Sequence, residues 1–182
     1  MLKTISVKLT NYYEKFMPLS ETDRLKMILG FQNIIHQAGM FFVIFTLAGI
    51  FHIFKETLLF LAVFSIYRRI AGGFHLSTSL GCICATSFID IGGTALALRT
   101  NINIPAVLTL FVIIVIVTFI FAPRRTKNYP VSDETKRRLK VRSMLLAIFL
   151  GATALILPYP FRELVTIAAL AESLTLIPNP KH

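Results

Sequence analysis

The sequence predicts an all-α fold: a polytopic membrane helical bundle with six apolar segments, of which four to six span and one or two are candidates for re-entrant pieces. Three observations carry this expectation. Of 182 residues, 55% are hydrophobic and only 15% charged, with a mean hydropathy of +0.71, far from the composition of a soluble domain. Uncharged apolar runs recur at the length a helix needs to cross a bilayer, about 20 residues. The net charge of +10 lies mostly beside those runs, where basic residues gather on the cytoplasmic side and face anionic lipid. That placement speaks for lipid and against nucleic acid. The length suits a single integral membrane domain, 1–182, with an interfacial leader over 1–30 and a basic cytoplasmic loop over 123–142. Membrane lipid is therefore an expected partner.

The leader carries Leu2, Ile5, Leu9, Tyr12 and Phe16 at steps of three and four, with Lys3, Lys8 and Lys15 largely off that stripe. This is the pattern of an amphipathic helix on a membrane surface, or of a cap packed on the membrane helices. Pro18 ends it, and Ser20-Glu21-Thr22-Asp23 resembles the capped start of a second helix. No cleavable signal precedes the first long apolar run, so the first span is expected to direct insertion itself.

That first span is expected from about Ile34 to Phe54, with no charge between Ala38 and Phe51 and with His36 and His52 near its interfacial ends. Lys55-Glu56 interrupts the run. Leu58 to Tyr67 is apolar but only ten residues long. It reads as a half-crossing, a re-entrant hairpin, or a helix lengthened by its flanks. Leu80 to Leu98 has span length but contains Asp90, which must face protein, water or a cation. Ile102 to Ala122 is the clearest span, uncharged throughout. The polar stretch that follows holds Arg124, Arg125, Lys127, Lys136, Arg137, Arg138, Lys140 and Arg142 against Asp133 and Glu134. Ser143 to Pro160 and Arg162 to Ile177 complete the chain, and Glu163 and Glu172 make the last segment a candidate for the bundle interior. Charge places the leader, Arg68-Arg69 and the 124–142 stretch on the cytoplasmic side, together with both termini. Lys55-Glu56 and the Arg99–Asn103 turn fall opposite.

Chemistry concentrates between Tyr67 and Cys82, where paired arginines, paired glycines, one histidine and one cysteine lie between apolar runs. The two cysteines, Cys82 and Cys84, are too few for a disulfide framework, and side chains two apart on a helix diverge. Cys82 is a candidate nucleophile and His75 its candidate base. On one straight helix their seven-residue separation corresponds to about 10.5 Å of axial rise, whereas a His–Cys hydrogen bond needs roughly 3–3.5 Å. A bend is required, and Gly72-Gly73 supplies the residues for it. Ser77, Thr78 and Ser79 are N-cap candidates. With Ser79 as cap, Cys82 falls in the first helical turn, where the helix end favours a thiolate and the N–H groups near Ser79, Leu80 and Gly81 are candidates to hold an oxyanion. Blander readings stand beside these. Membrane cysteines commonly fill small apolar gaps, Cys84 above all; histidines near span ends are commonly interfacial; and Arg68 and Arg69 serve equally as topology markers or as counterions for an acidic substrate. A metal site built from His75, Cys82, Cys84 and Asp90 matches no familiar zinc spacing. A solute or peptide carrier using Asp90 and Gly92-Gly93 lacks an inverted repeat.

Arg68-Arg69, Gly72-Gly73, His75 and Cys82 together resemble the accessory gene regulator protein B (AgrB) family, peptide-processing endopeptidases of Gram-positive quorum sensing. The size, the span pattern and the Ala122-Pro123 opening of the basic stretch are similar as well. The resemblance implies a membrane thiol protease acting on a small propeptide with an acidic C-terminal tail (AgrD-like). Cys82 would attack the carbonyl before the tail, with His75 as general base. A nucleophile within the peptide, usually its own cysteine, would then displace Cys82 and close a thiolactone ring. Arg68, Arg69, Lys136, Arg137 and Arg138 would hold the acidic tail. A homodimer is the usual assembly. The resemblance implies no cofactor, and no P-loop glycine-lysine motif is present for nucleotide.

Overall fold

The computed structural model describes residues 2–17, 19–73, 78–124 and 132–178. His75, Pro18, Ser77, Arg125 and Lys127 lie outside the described residues. Among the described residues the secondary structure is helical: α1 Leu2–Glu14, α2 Glu21–Ile50, α3 Phe54–Ala71, α4 Ser79–Arg99, α5 Ile104–Phe121, α6 Asp133–Ile156 and α7 Phe161–Leu176. Helices α2, α4, α5 and α6 are long and apolar enough to cross a membrane.

Helix α1 forms where the periodic stripe predicts it, but the stripe faces outward. Ser6 and Thr10 are buried, and Thr10 bonds back to the Ser6 carbonyl, while Ile5, Leu9, Tyr12 and Phe16 are exposed. Arg24 of α2 reaches Glu14 at 3.3 Å and Asn11 at 3.0 Å, which ties the end of α1 to the start of α2. Such an outward apolar face is what an interfacial helix presents to lipid.

Ser20 caps α2, its hydroxyl accepting from the Asp23 N–H at 3.2 Å. The helix then runs unbroken to Ile50. The second leader helix and the first span, expected as separate pieces with the span starting near Ile34, are thus one 30-residue helix. Nothing between Glu21 and Ile34 terminates it: Gly30 is a weak breaker when its neighbours are good helix formers.

The short Leu58–Tyr67 run resolves as a helix lengthened by its flanks. Lys55-Glu56 and Arg68-Arg69 are its polar ends, and Glu56 and the arginines sit at the termini that the helix dipole favours for their charges. The basic loop needs correction. Residues 133–142 are not loop but the first turns of α6. Ser132 caps that helix, Asp133 and Glu134 occupy its first turn, and they pair with Lys136 and Arg138 at 2.9 and 2.6 Å. Caps plus pairs three and four residues apart stabilise a helix that polarity alone would assign to a loop.

Helices α2 to α7 alternate in direction. The ring of Phe60 on α3 fills the space above Gly93 on α4, and Gly151 on α6 meets the ring of Phe111 on α5. Tyr67 and Thr118 share a buried hydrogen bond between α3 and α5. Helix α7 is the hub, packed on α3, α4, α5 and α6. Leu164, Val165, Ala168, Ala169 and Leu176 are buried in it, as its expected interior position requires. Its small residues allow close helix approach, which drives packing where lipid offers no hydrophobic contrast. The outer helices instead expose Phe42, Phe88, Val112, Ile116 and Phe149.

At one end of the bundle Tyr159 donates to the Leu98 carbonyl at 2.7 Å, and Glu163 accepts from the Ile102 N–H at 3.2 Å. At the other end lie the C-terminus of α3, the N-termini of α4 and α6, Arg124 and the C-terminus of α7. The arginine pair, Arg124 and the basic turns of α6 therefore share one end, and Lys55-Glu56 and Arg99 share the opposite one.

Candidate active site

The site is built where α3 stops. Ala71 is the last helical residue, and Gly72 follows at φ +84°, a backbone region that side chains rarely tolerate. The chain turns there because Arg124 blocks its path. The Arg124 N–H donates to the Ala71 carbonyl at 2.9 Å, and Gly72 and Arg124 form an isolated parallel bridge. Arg124 also donates from Nη1 to the carbonyls of Thr175 at 3.1 Å and Ile177 at 2.6 Å. One residue thus closes the end of α7, whose terminal carbonyls lack helical partners, and braces the turn after α3.

Gly73 lies against α7. A methyl group on it would stand 2.8 Å from Thr175 Oγ1 and 3.0 Å from Glu172 Oε1. Glu172 is fully buried, with Arg68 Nη1 3.6 Å from its Oε2. Arg68 also lies over the Phe64 ring at 5.7 Å. Neighbouring Arg69 is exposed. The arginine pair therefore divides: one guanidinium turns inward onto a buried carboxylate, and the other faces out. Spacing alone gave no sign of that division, nor of Glu172 as part of this end of the bundle, whereas charge had already placed Arg124 on the same side as the arginine pair. Glu172 was visible only as an acid in an apolar segment.

Seven residues separate α3 from helix α4, which begins at Ser79. Its N-cap is Thr78 rather than Ser79: Thr78 is extended (φ −110°, ψ 137°) and its hydroxyl accepts from the Gly81 N–H at 3.2 Å. This removes Gly81 from the oxyanion candidates, because its N–H is already satisfied. The Cys82 N–H closes the first helical bond, to the Thr78 carbonyl at 3.0 Å. The N–H groups of Ser79 and Leu80 have no acceptor among the described residues. Cys82 stands in the first turn, partly exposed and not in a disulfide. Cys84 is exposed on the outside of α4 and fills no interior gap.

Asp90 is buried in α4 beside Ser87 and Thr94, and neither carboxylate oxygen has a hydrogen-bond partner among the described residues. It faces the protein interior and is paired with no arginine among the described residues. No group of three or more His, Cys, Asp or Glu among the described residues is placed to hold a metal. Lys136 and Arg138 are engaged with Asp133 and Glu134, and Arg137 is exposed between them.

Fold and site together define an α-helical protein suited to a membrane, with a free thiol in the first turn of a span and a cationic surface at the same end. The family model for accessory gene regulator B matches residues 6–176, and the chain belongs to that family. It is 30% identical to accessory gene regulator protein B of Staphylococcus epidermidis over 92% of this chain and 86% of the relative. The corresponding Staphylococcus aureus protein is 28% identical over 92% and 88%, and that of Staphylococcus haemolyticus 26% over 92% and 89%. No solved structure matches the chain.

Proposed function

We propose that this protein is a membrane cysteine endopeptidase that removes the acidic C-terminal tail of a small quorum-sensing propeptide and cyclises what remains. The carrying observation is the position of Cys82. It is a partly exposed thiol in the first turn of α4, next to the acceptor-free N–H groups of Ser79 and Leu80.

In this reading the Cys82 sulfur attacks the carbonyl carbon of the residue before the tail, and His75 takes the thiol proton. The oxyanion is met by backbone donors at the helix start. The C–N bond then breaks, His75 passes its proton to the leaving amine, and the peptide stays on Cys82 as a thioester. A cysteine of the peptide attacks that thioester, its thiol proton passing to the departing Cys82, and a thiolactone ring closes. One thioester replaces another, so the exchange is close to isoenergetic and needs no nucleotide. It needs water kept away, which a site at the membrane edge favours. Arg69 and Arg137 are the exposed cations best disposed to meet an acidic tail, with Lys136 and Arg138 beside them; Arg68 serves chiefly from inside. The basic end of the bundle and both termini are assigned to the cytoplasm by the positive-inside rule, and a homodimer is the expected assembly.

The test is co-expression with a small propeptide that carries an acidic C-terminal tail, followed by mass spectrometry. A covalent peptide adduct on Cys82, absent in Cys82→Ser, is the expected result. Cleavage that survives Cys82→Ser overturns the reading. The buried Asp90 stripe favours the alternative, a carrier of solutes or peptides without proteolysis, and that outcome would support it.

A further inference from the structure

We propose that the groove between α5 and α6 holds an acyl chain of one anionic phospholipid, with Lys140 as the contact for its phosphate.

Helices α5 and α6 leave an open groove of about 390 Å³ between them. It exists because the two helices contribute side chains of unequal size. Leu108, Val112 and Ile116 stand on the α5 side, whereas α6 offers Ala147, Gly151 and Ala152. Gly151 meets the Phe111 ring, so the floor is closed by packing. The rims face out of the bundle: Leu108, Val112, Ile116 and Ile148 are exposed. Every side chain lining the groove is apolar.

The shape suits a hydrocarbon chain. The groove runs along α5 from Val107 to Ile116, about 13.5 Å at 1.5 Å per residue. That is close to half of the ~30 Å hydrocarbon core, the depth that the chains of one leaflet reach. Its mean cross-section is then roughly 30 Å², against about 80 Å² for a helix 10 Å across. A second apolar helix would suit the lining but not the width.

Charge at the basic end of the bundle selects the lipid. Lys140 precedes Ala147 by seven residues and Gly151 by eleven, which puts it on the groove face of α6. Its Nζ stands 4.4 Å from the centre of the Phe119 ring, one turn beyond Val115 on α5. The ammonium is therefore held on the seam between the two helices, where the groove meets the membrane boundary. A lysine that only marked that boundary would extend freely toward water. Lys136 and Arg138 are engaged with Asp133 and Glu134, but Lys140 has no ion partner among the described residues. Arg137, exposed one turn farther out on the same face, adds to the positive field. An apolar slot with an uncompensated cation at its mouth matches a molecule with an apolar tail and a negative head. Surrounding lipid is as apolar as the groove, so the tail gains only packing. Preference among lipids has to come from the head.

The experiment places the full-length protein, without propeptide, in phosphatidylcholine vesicles holding a trace of a phospholipid with a photoreactive diazirine in its acyl chain. Two probes with identical chains are compared, phosphatidylglycerol (anionic) and phosphatidylcholine (zwitterionic). After irradiation, peptide mass spectrometry counts adducts in the groove and at exposed Phe42 and Phe88 on other faces. Phosphatidylglycerol should label the groove about fivefold more than phosphatidylcholine, the preference one lysine near the surface supplies. Phe42 and Phe88 should show no such preference. Lys140→Gln should remove the preference and leave phosphatidylcholine labelling unchanged. Ala152→Phe, which fills the groove from its exposed side, should lower labelling by both probes. A preference that survives Lys140→Gln overturns the inference. Equal labelling by the two probes also overturns it, and assigns the groove to the propeptide if adding that peptide suppresses the label. A groove that takes no label, while Ala152→Cys cross-links through that residue to a second copy, overturns it in favour of a dimer interface.

Discussion

Gly72 and Arg124 lie backbone to backbone, so close that a Cβ on Gly72 would collide with the Arg124 carbonyl. The contact joins the end of α3 to the segment after α5, and Arg124 carries it on to the end of α7. Three helices that are distant in sequence are fastened at one point beside the candidate active site.

Gly72→Ala should therefore be costly twice over. The residue adopts φ +84°, and backbone atoms do not yield as a side chain does. A loss of at least about 2 kcal/mol is expected, read as a lower melting temperature in detergent. Propeptide cleavage should fall with it. A fully stable and active Gly72→Ala would show that the turn is not as tightly held as the bridge implies.

The two cysteines should separate cleanly. Cys82→Ser is expected to lower cleavage by at least roughly a thousandfold, as loss of a nucleophile does. Cys84→Ser, on the exposed side of α4, should stay within about twofold of the parent rate. Measured rates of tail release decide this, and equal losses from both would contradict the assignment.

Among the cations of α6, Arg137 should matter most to an acidic substrate. Lys136 and Arg138 already hold Asp133 and Glu134, whereas Arg137 has no ion partner among the described residues. Arg137→Glu should weaken processing about two- to fivefold at low salt, an effect that fades near 1 M salt as screening sets in. Charge reversal at all three positions should weaken it further. A rate indifferent to both substitution and salt would remove α6 from substrate binding.

Asp90→Asn should be tolerated. The carboxylate is buried without a hydrogen-bond partner among the described residues, so removing its charge forfeits no visible ion pair. The melting temperature is expected to stay or rise, with tail cleavage intact. Loss of cleavage without loss of folding would give Asp90 a functional part.

Much of the fold was legible because helix periodicity and apolar length are local properties. Ser20 as a cap, the Ile102–Ala122 span and the interior placement of the last segment all follow from residues near one another in sequence. The basic loop was misread for the opposite reason: Asp133, Glu134, Lys136 and Arg138 look like solvated charge until their spacing is recognised as helix pairing. Thr78 rather than Ser79 is the cap, and three adjacent hydroxyl residues, all good caps, gave the sequence no means to choose between them.

The order of residues alone determined that this chain forms membrane-length helices with its cations gathered toward one end, and that its one glycine-bounded bend lies before Cys82. Those follow from hydropathy and backbone freedom, which each residue carries with it. Only the folded molecule decided that Arg68 turns inward onto Glu172, that Arg124 fastens three helix ends, and that Gly73 rests against α7. Those relations join residues from 51 to 104 positions apart. No local pattern encodes such a pairing, because it exists only once the intervening helices have packed.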